Sequence, residues 1–371
     1  MKKTVPVFCL LLTLVVPVRS HPDTVRLHPD SVAAMVLGGP PLCQVSEDGR
    51  FRWEKGELQP IDGLFSFYTY DQKPLEARLD VSSSAARGEA LRGCVLFSEA
   101  VDRLQVTLQR GSGGEAVGSI RGFSLDESDL HWCFLLGIPS SAEAGEYSLE
   151  LRAYRGRRFI LYKTTLTIRY RSFRSEEIAF NQALSELMTE PDPRKIQEYQ
   201  DLLELLNAFH ARSVFHAGTL AVPVAATRRT SGFADRRLYS YTDGGSSRSL
   251  HNGIDLATPA GTPVFASGAG RVVLAKQRVI SGNSVVIEHL PGVYTLYYHL
   301  EELEVEEGQR LYQGQRIGTV GMTGLATGPH LHWELRIGGV AVDPDVFVDA
   351  PMIDKSMFSH NIIRADSAEG R

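Results

Sequence analysis

The alternation of apolar and polar positions divides the chain into blocks of different period. From about residue 60 to 171 the period is two. Leu104-Gln105-Val106-Thr107-Leu108 and Tyr147-Ser148-Leu149-Glu150-Leu151 alternate as half-buried strands do. Phe159-Ile160-Leu161-Tyr162 and Thr165-Leu166-Thr167-Ile168 continue the series, with turns such as Gly111-Ser112-Gly113-Gly114 between runs. Short strands with regular turn signals predict a β-sandwich. Over 172–217 the period becomes helical. Glu176 to Phe180 opens an amphipathic stretch that carries Leu184 and Leu187, and Glu190-Pro191-Asp192-Pro193 breaks it. Asp192 then caps a second helix with Pro193 in its first position. Ile196, Tyr199, Leu203 and Leu206 form the stripe of that helix. A helical hairpin is therefore expected to join two β domains. Strand-like runs return over 218–349, among them Arg271-Val272-Val273-Leu274, Ser284-Val285-Val286-Ile287 and Tyr294-Thr295-Leu296-Tyr297, punctuated by Gly268, Gly270, Gly282 and Gly292. Residues 350–371 have no period and read as a loosely held tail.

The beginning of the chain changes the setting. Lys2 and Lys3 precede an apolar run from Val5 to Val18, and Val18-Arg19-Ser20 offers a cleavage point. Residues 1–20 are expected to be a signal peptide, followed by a leader and first strands over 21–59. The mature chain would then be exported, to the periplasm or cell envelope, with no membrane span after signal removal. The chain has 371 residues, 43% hydrophobic and 22% charged, which suits a folded protein of more than one domain. Its net charge of −5 leaves no basic footprint for nucleic acid. Of four cysteines, Cys9 lies in the signal. Cys43, Cys94 and Cys133 cannot all pair within one chain, and Cys94 and Cys133 beside apolar runs are expected to be buried free thiols.

Ala144-Gly145-Glu146-Tyr147-Ser148-Leu149 resembles the tyrosine corner of immunoglobulin-like folds, with Leu149 where antibody domains place a disulfide cysteine. The fold class expected is mainly β: an immunoglobulin-like sandwich over 60–171, the hairpin, and an all-β C-terminal domain. The sandwich carries no catalytic constellation and is expected to be a spacer or a docking module for a protein partner.

Candidate chemistry is confined to the last block. His251-Asn252-Gly253-Ile254-Asp255 places a histidine and an aspartate four apart around a glycine, where the chain can bend so that both reach one ion. Pro329-His330-Leu331-His332-Trp333-Glu334 reads as a strand, so His330, His332 and Glu334 share one face. His299 ends the strand that begins near Val293. Imidazole and carboxylate are zinc ligands, and a catalytic zinc keeps one position open for water. These residues could supply three ligands and two spare imidazoles. His289 competes with His299 for a place in the site.

This text resembles the M23 metallopeptidases, the LytM and lysostaphin-like group. The resemblance is carried by Ser249 to Ala257, Gly261-Thr262-Pro263-Val264, Tyr297-Tyr298-His299-Leu300, Gly318 to Gly324 and Gly328 to Glu334, in the family's order. It implies a LytM-type peptidase domain over 218–349, with one Zn2+ held by His251, Asp255 and His332. It implies that His299 and His330 are the catalytic pair, and it leaves His289 structural. Glu334 is expected to orient an imidazole. Gly232-Phe233-Ala234-Asp235-Arg236 resembles a Phe-Gly-x-Arg element with Ala234 in place of its glycine, and makes Arg236 a candidate substrate contact. The family's substrate class is the peptide bridges of peptidoglycan. The competing expectation is a non-catalytic regulator that binds the cell wall and activates an amidase, as relatives lacking metal ligands do. The segment with Tyr239, Tyr241 and Asp243 could cover the groove, as in latent relatives.

Overall fold

The computed structural model describes residues 43–45, 51–54, 57–60, 64–69 and 74–354, apart from 112–113, 157 and 226–227. The expected signal peptide, most of the leader and the tail beyond 354 lie outside the described residues. Among the described residues, no helix is long and apolar enough to cross a membrane.

Besides a two-stranded pair of Phe51–Glu54 and Glu57–Pro60, two large sheets form the N-terminal sandwich. One runs Cys43–Val45, Leu64–Thr69, Pro74–Val81, Ala90–Phe97, His131–Gly137, Phe123–Ser124. The other runs Ser84–Ala86, Arg158–Arg169, Gly145–Arg155, Arg103–Arg110, Ala116–Arg121. Leu91, Val95, Trp132 and Phe134 from the first pack on Leu104, Val106, Leu108 and Leu149 from the second. The Tyr147 hydroxyl donates to the Glu143 carbonyl at 2.8 Å, which is the bond a tyrosine corner makes.

The first sheet is buried on both faces at its middle. Cys94, Cys133 and Leu135 point away from the sandwich interior and share a core with Ile337, Val342 and Phe347 of the C-terminal domain. Burial on both sides explains the unbroken apolar text of Trp132 to Leu136. Cys94 and Cys133 stand opposite each other in register and are buried free thiols. The sandwich thus docks within its own chain, through the face on which the two thiols lie.

The segment joining the halves differs from expectation at its start. Ser175–Ala179 is a strand, parallel to Arg236–Ser240. Its exposure alternates: Glu176 and Ile178 face inward, and Phe180 follows them into burial. Glu176 forms an ion pair with Arg237 of the neighbouring strand, a partner 61 positions away that the local pattern does not show. The first helix, α1, begins only at Gln182 and runs to Thr189, capped by Asn181, whose side chain accepts from the Leu184 amide. The second, α2, spans Pro193–Asn207 with Asp192 as its cap, as the sequence predicts. Of the predicted stripe, Leu206 is buried and Leu203 half-buried, and Leu202 takes the place of the first two positions. Leu202 and Leu206 pack on Leu274, Val286, Tyr294, Leu296 and Tyr298, each contributing about 1.5–3 kcal/mol. Ile196 and Tyr199 are 65% and 60% exposed.

The C-terminal domain is built on one large antiparallel sheet. Its main path runs Arg228–Ser231, Gly253–Ala257, His330–Ile337, Val293–Leu303, Gly282–Leu290, Gly270–Arg278, Arg310–Leu311. A smaller sheet of Ser175–Ala179, Arg236–Ser240 and Ser246–Leu250 stands beside it. Leu331, Trp333 and Leu335 face the core from the central strand, which leaves the alternate positions 330, 332 and 334 on the opposite face.

Candidate active site

Strand register assembles the site. Asp255 stands opposite His332, and Tyr298 stands opposite His332 on its other side. Gly253 permits this approach: a Cβ there would lie 2.3 Å from the Trp333 carbonyl oxygen. Its role is closeness of two strands, where the sequence suggested a bend. His251 enters from the loop before the strand. It is fixed by the turn at 232–235, where Ala234 donates to the His251 carbonyl and His251 to the Asp235 carbonyl. Ala234 has a φ of 58°, so it adopts the left-handed conformation for which a glycine is the usual residue.

Three donor atoms converge. His251 Nε2 lies 3.0 Å from Asp255 Oδ1 and 2.9 Å from His332 Nδ1, and His332 Nδ1 lies 2.8 Å from Asp255 Oδ1. The far nitrogens settle the tautomers. His251 Nδ1 faces the Gly232 carbonyl at 2.7 Å and must donate to it. His332 Nε2 faces Glu334 Oε1 at 2.8 Å and donates there. Each neutral ring therefore aims a lone pair at the same point, beside a carboxylate oxygen. Such a cluster needs a cation. Zinc bonds of about 2.0–2.1 Å in a tetrahedral set separate the donors by about 3.3 Å, a few tenths of an ångström wider than found here. The donor set fits zinc in ligand type and in the hydrogen-bonded far nitrogens that metal-binding histidines show.

The electrostatics agree. Burial opposes ionisation of Asp255, yet hydrogen bonds from His251 and His332 hold its carboxyl well below the ordinary range. Burial also opposes charge on His332, but Asp255 and Glu334 outweigh it and push the imidazole up to about 9. Glu334 is pushed down to about 2: burial works the other way, and Arg336 and His332 overcome it.

His299 and His330 stand beside this cluster with ring centroids 4.8 Å apart. His299 Nδ1 donates to the Thr323 carbonyl and His330 Nδ1 to the Gly328 carbonyl, both at 2.8 Å. Each Nε2 is thereby left as a proton acceptor. His330 Nε2 lies 3.7 Å from Asp255 Oδ1. Burial, with His330 and His332 nearby, pushes His299 down to about 3, and burial lowers His330 against the pull of Asp255. Both are neutral at neutral pH. His299 also has a φ of 63°, a costly backbone state for a non-glycine residue, of the kind that gathers at functional sites.

These residues line a groove of about 380 Å³. Ile178, Phe180 and Tyr239 form one wall, Leu325, Thr327 and Pro329 the other. Tyr239 thus edges the groove, stacked on Phe180 at 4.7 Å between centroids. Tyr241 and Asp243 do not line it: Tyr241 bonds Ser247, and Asp243 accepts from the Gly245 amide. Arg236 is also elsewhere, exposed on the far face of its strand. Its neighbour Arg237 takes the place by the ligands, donating from Nη2 to Asp255 Oδ2 and from Nε to Glu176 Oε1, each at 2.6 Å. His289 is fully buried on the opposite side of the core, between the Ala269 carbonyl and the Thr295 hydroxyl. The sequence also missed Tyr298, whose ring stacks on His332 at 5.4 Å and 8°.

Residues 249–344 match the profile of peptidase family M23. The chain carries a peptidase family M23 domain. Among curated relatives, the M23 domain is 46% identical over 116 residues to peptidoglycan DD-endopeptidase ShyA of Vibrio cholerae, covering 31% of this chain and 26% of that protein. It is 44% identical over 126 residues to DD-carboxypeptidase/endopeptidase Mpg of Neisseria meningitidis, covering 33% and 29%. The chain therefore spans under a third of the length of these relatives. Among solved structures, the catalytic domain of the prophage-encoded M23 protein EnpA from Enterococcus faecalis is 33% identical, covering 35% of this chain and 95% of that one with a TM-score of 0.29.

Proposed function

We propose that this protein is a zinc-dependent endopeptidase that hydrolyses peptide cross-links of peptidoglycan outside the cytoplasmic membrane. One observation carries the reading: three lone-pair donors converge beside two neutral imidazoles whose Nε2 atoms face the same groove. The curated relatives named as peptidoglycan DD-endopeptidases support the substrate class. The pattern of residues 1–20 supports export.

His251, Asp255 and His332 would hold the zinc. When bound, the ion supplies Lewis acidity, polarising a carbonyl and making water acidic near neutral pH. The chain's own residues do the rest. His330 or His299 accepts the proton of the attacking water at Nε2, because both rings are neutral and both Nδ1 positions are committed to backbone carbonyls. The same pair returns a proton to the departing amine. Arg237 holds Asp255 Oδ2, so that Oδ1 alone faces the ligand cluster. Ile178, Phe180 and Leu325 reduce the water around the scissile bond.

Digestion of purified peptidoglycan, with mass analysis of the products, tests this. Wild type should release peptide-cleaved fragments, and chelation or His251→Ala should abolish them. Cleavage that survives both would overturn the reading. No cleavage by fully zinc-loaded wild type would favour a regulator.

A further inference from the structure

The groove contains three permanently charged side chains: Asp255, Arg237 and Arg228. Asp255 and Arg237 neutralise each other, and Arg237 also takes Glu176. Arg228 pairs with no carboxylate among the described residues. Its neighbour Arg229 shows the contrast, since it grips both oxygens of Asp345 at 2.6 and 2.9 Å. Adjacent strand positions point to opposite faces: Arg229 turns outward to its partner, and Arg228 turns into the groove without one.

Register fixes where Arg228 stands. It pairs with Ala257, and Ala257 pairs with His330 on the next strand. The three residues form one row across the sheet, on the face that carries Asp255 and His332. Neighbouring strands lie about 4.8 Å apart, so Arg228 begins about two strand spacings from His330. Ala257, the residue between, has only a methyl group to interrupt the path of a guanidinium toward the reacting bond.

A free guanidinium at this place selects its ligand. Its planar fork matches a carboxylate through two parallel N–H bonds. The groove walls nearby are Ile178, Phe180, Tyr239, Leu325 and Pro329, and the acid that lines the groove, Asp255, is already paired with Arg237. We propose that Arg228 binds a free carboxylate of the substrate within one residue of the scissile bond. The enzyme would then discriminate peptides whose carboxylate is free there from those in which it is amidated. This assignment names the substrate chemistry of the groove and rests on the hydrolase reading above.

Binding separates the two. The probes are two cross-linked muropeptides of the same sequence, one with a free α-carboxylate on the residue that would leave, the other with the carboxamide. They are titrated calorimetrically into the zinc-loaded full chain carrying His330→Ala, which does not consume them. The acid should bind about 10-fold or more tightly than the amide, the range of a charge-assisted pair. Adding Arg228→Gln should bring the ratio to within about twofold, and Arg228→Lys should keep part of it, since a lysine retains the charge without the fork. Arg228 is exposed, so both variants should keep the parent's melting temperature. Equal binding of the two probes by the parent, or a preference unchanged by Arg228→Gln, overturns the assignment. Failure of the hydrolase reading looks different: wild type leaves peptidoglycan uncut while the acid preference and its loss in Arg228→Gln persist.

Discussion

Replacing Arg237 by Gln tests how the site is held from outside the ligand set. Arg237 is 12% exposed and bridges Asp255 and Glu176. Glutamine removes the charge and both short contacts while keeping much of the stem. Asp255 would then carry its charge with Oδ2 unpaired, at a position only 8% exposed. Removing one partner of a buried pair costs about 3–5 kcal/mol. Glu176 is 27% exposed, so water recovers part of its share, and a loss of about 3 kcal/mol is expected. The freed carboxylate can also rotate, so that Oδ1 no longer faces His251 and His332 in one geometry. Losing such an outer partner weakens metal binding about 10- to 100-fold. Chemical denaturation of the metal-free protein measures the first effect, and competition with a chromophoric chelator measures the second. Glu176→Gln should show a smaller loss of stability and a smaller loss of affinity. Unchanged zinc affinity in Arg237→Gln, with the fold intact, would refute the positioning role.

Other consequences are as direct. Gly253→Ala places a methyl 2.3 Å from the Trp333 carbonyl, so two strands must part at a cost on the order of 3 kcal/mol, seen as a lower melting temperature and weaker zinc binding. His330→Ala should reduce turnover by about 10²–10⁴-fold, the usual size of a general acid–base contribution, in steady-state assays at saturating zinc. His289 is buried neutral and pushed down to about 4, mainly by burial. The unfolded chain binds that proton from about pH 6.5 downward, so its stabilising share is full above pH 6.5 and lost as pH falls toward 4. The loss amounts to about 3 kcal/mol, and His289→Gln should flatten that part of a stability-versus-pH curve.

How much of this the sequence shows depends on the range of the interactions. His330, His332 and Glu334 were legible because strand parity is local, and Asp192-Pro193 marked α2 for the same reason. The 176–180 segment was not, because what makes it a strand is Arg236–Ser240 beside it and the ion pair from Glu176 to Arg237. The buried face of α2 is set by Tyr294, Leu296 and Tyr298 on the sheet, which keep Leu206 of the expected stripe but take Leu202 in place of Ile196 and Tyr199. Arg237 stands by the ligands and Arg236 does not because adjacent strand residues face opposite sides, and which side meets the groove follows from pairing with the distant strands Ser175–Ala179 and Ser246–Leu250. The carbonyls of Gly232, Thr323 and Gly328, which fix three histidine tautomers, carry no side-chain signal at all.

In the proposed mechanism two histidines only two residues apart have different tasks, His332 holding the metal and His330 transferring a proton. Zinc bound per purified chain, measured for His330→Ala beside His332→Ala, tests that division most directly. The prediction is about one zinc per chain in His330→Ala, as the ligand set is complete there, and far less in His332→Ala, which loses one of three protein ligands. Equal zinc contents in the two variants would contradict it.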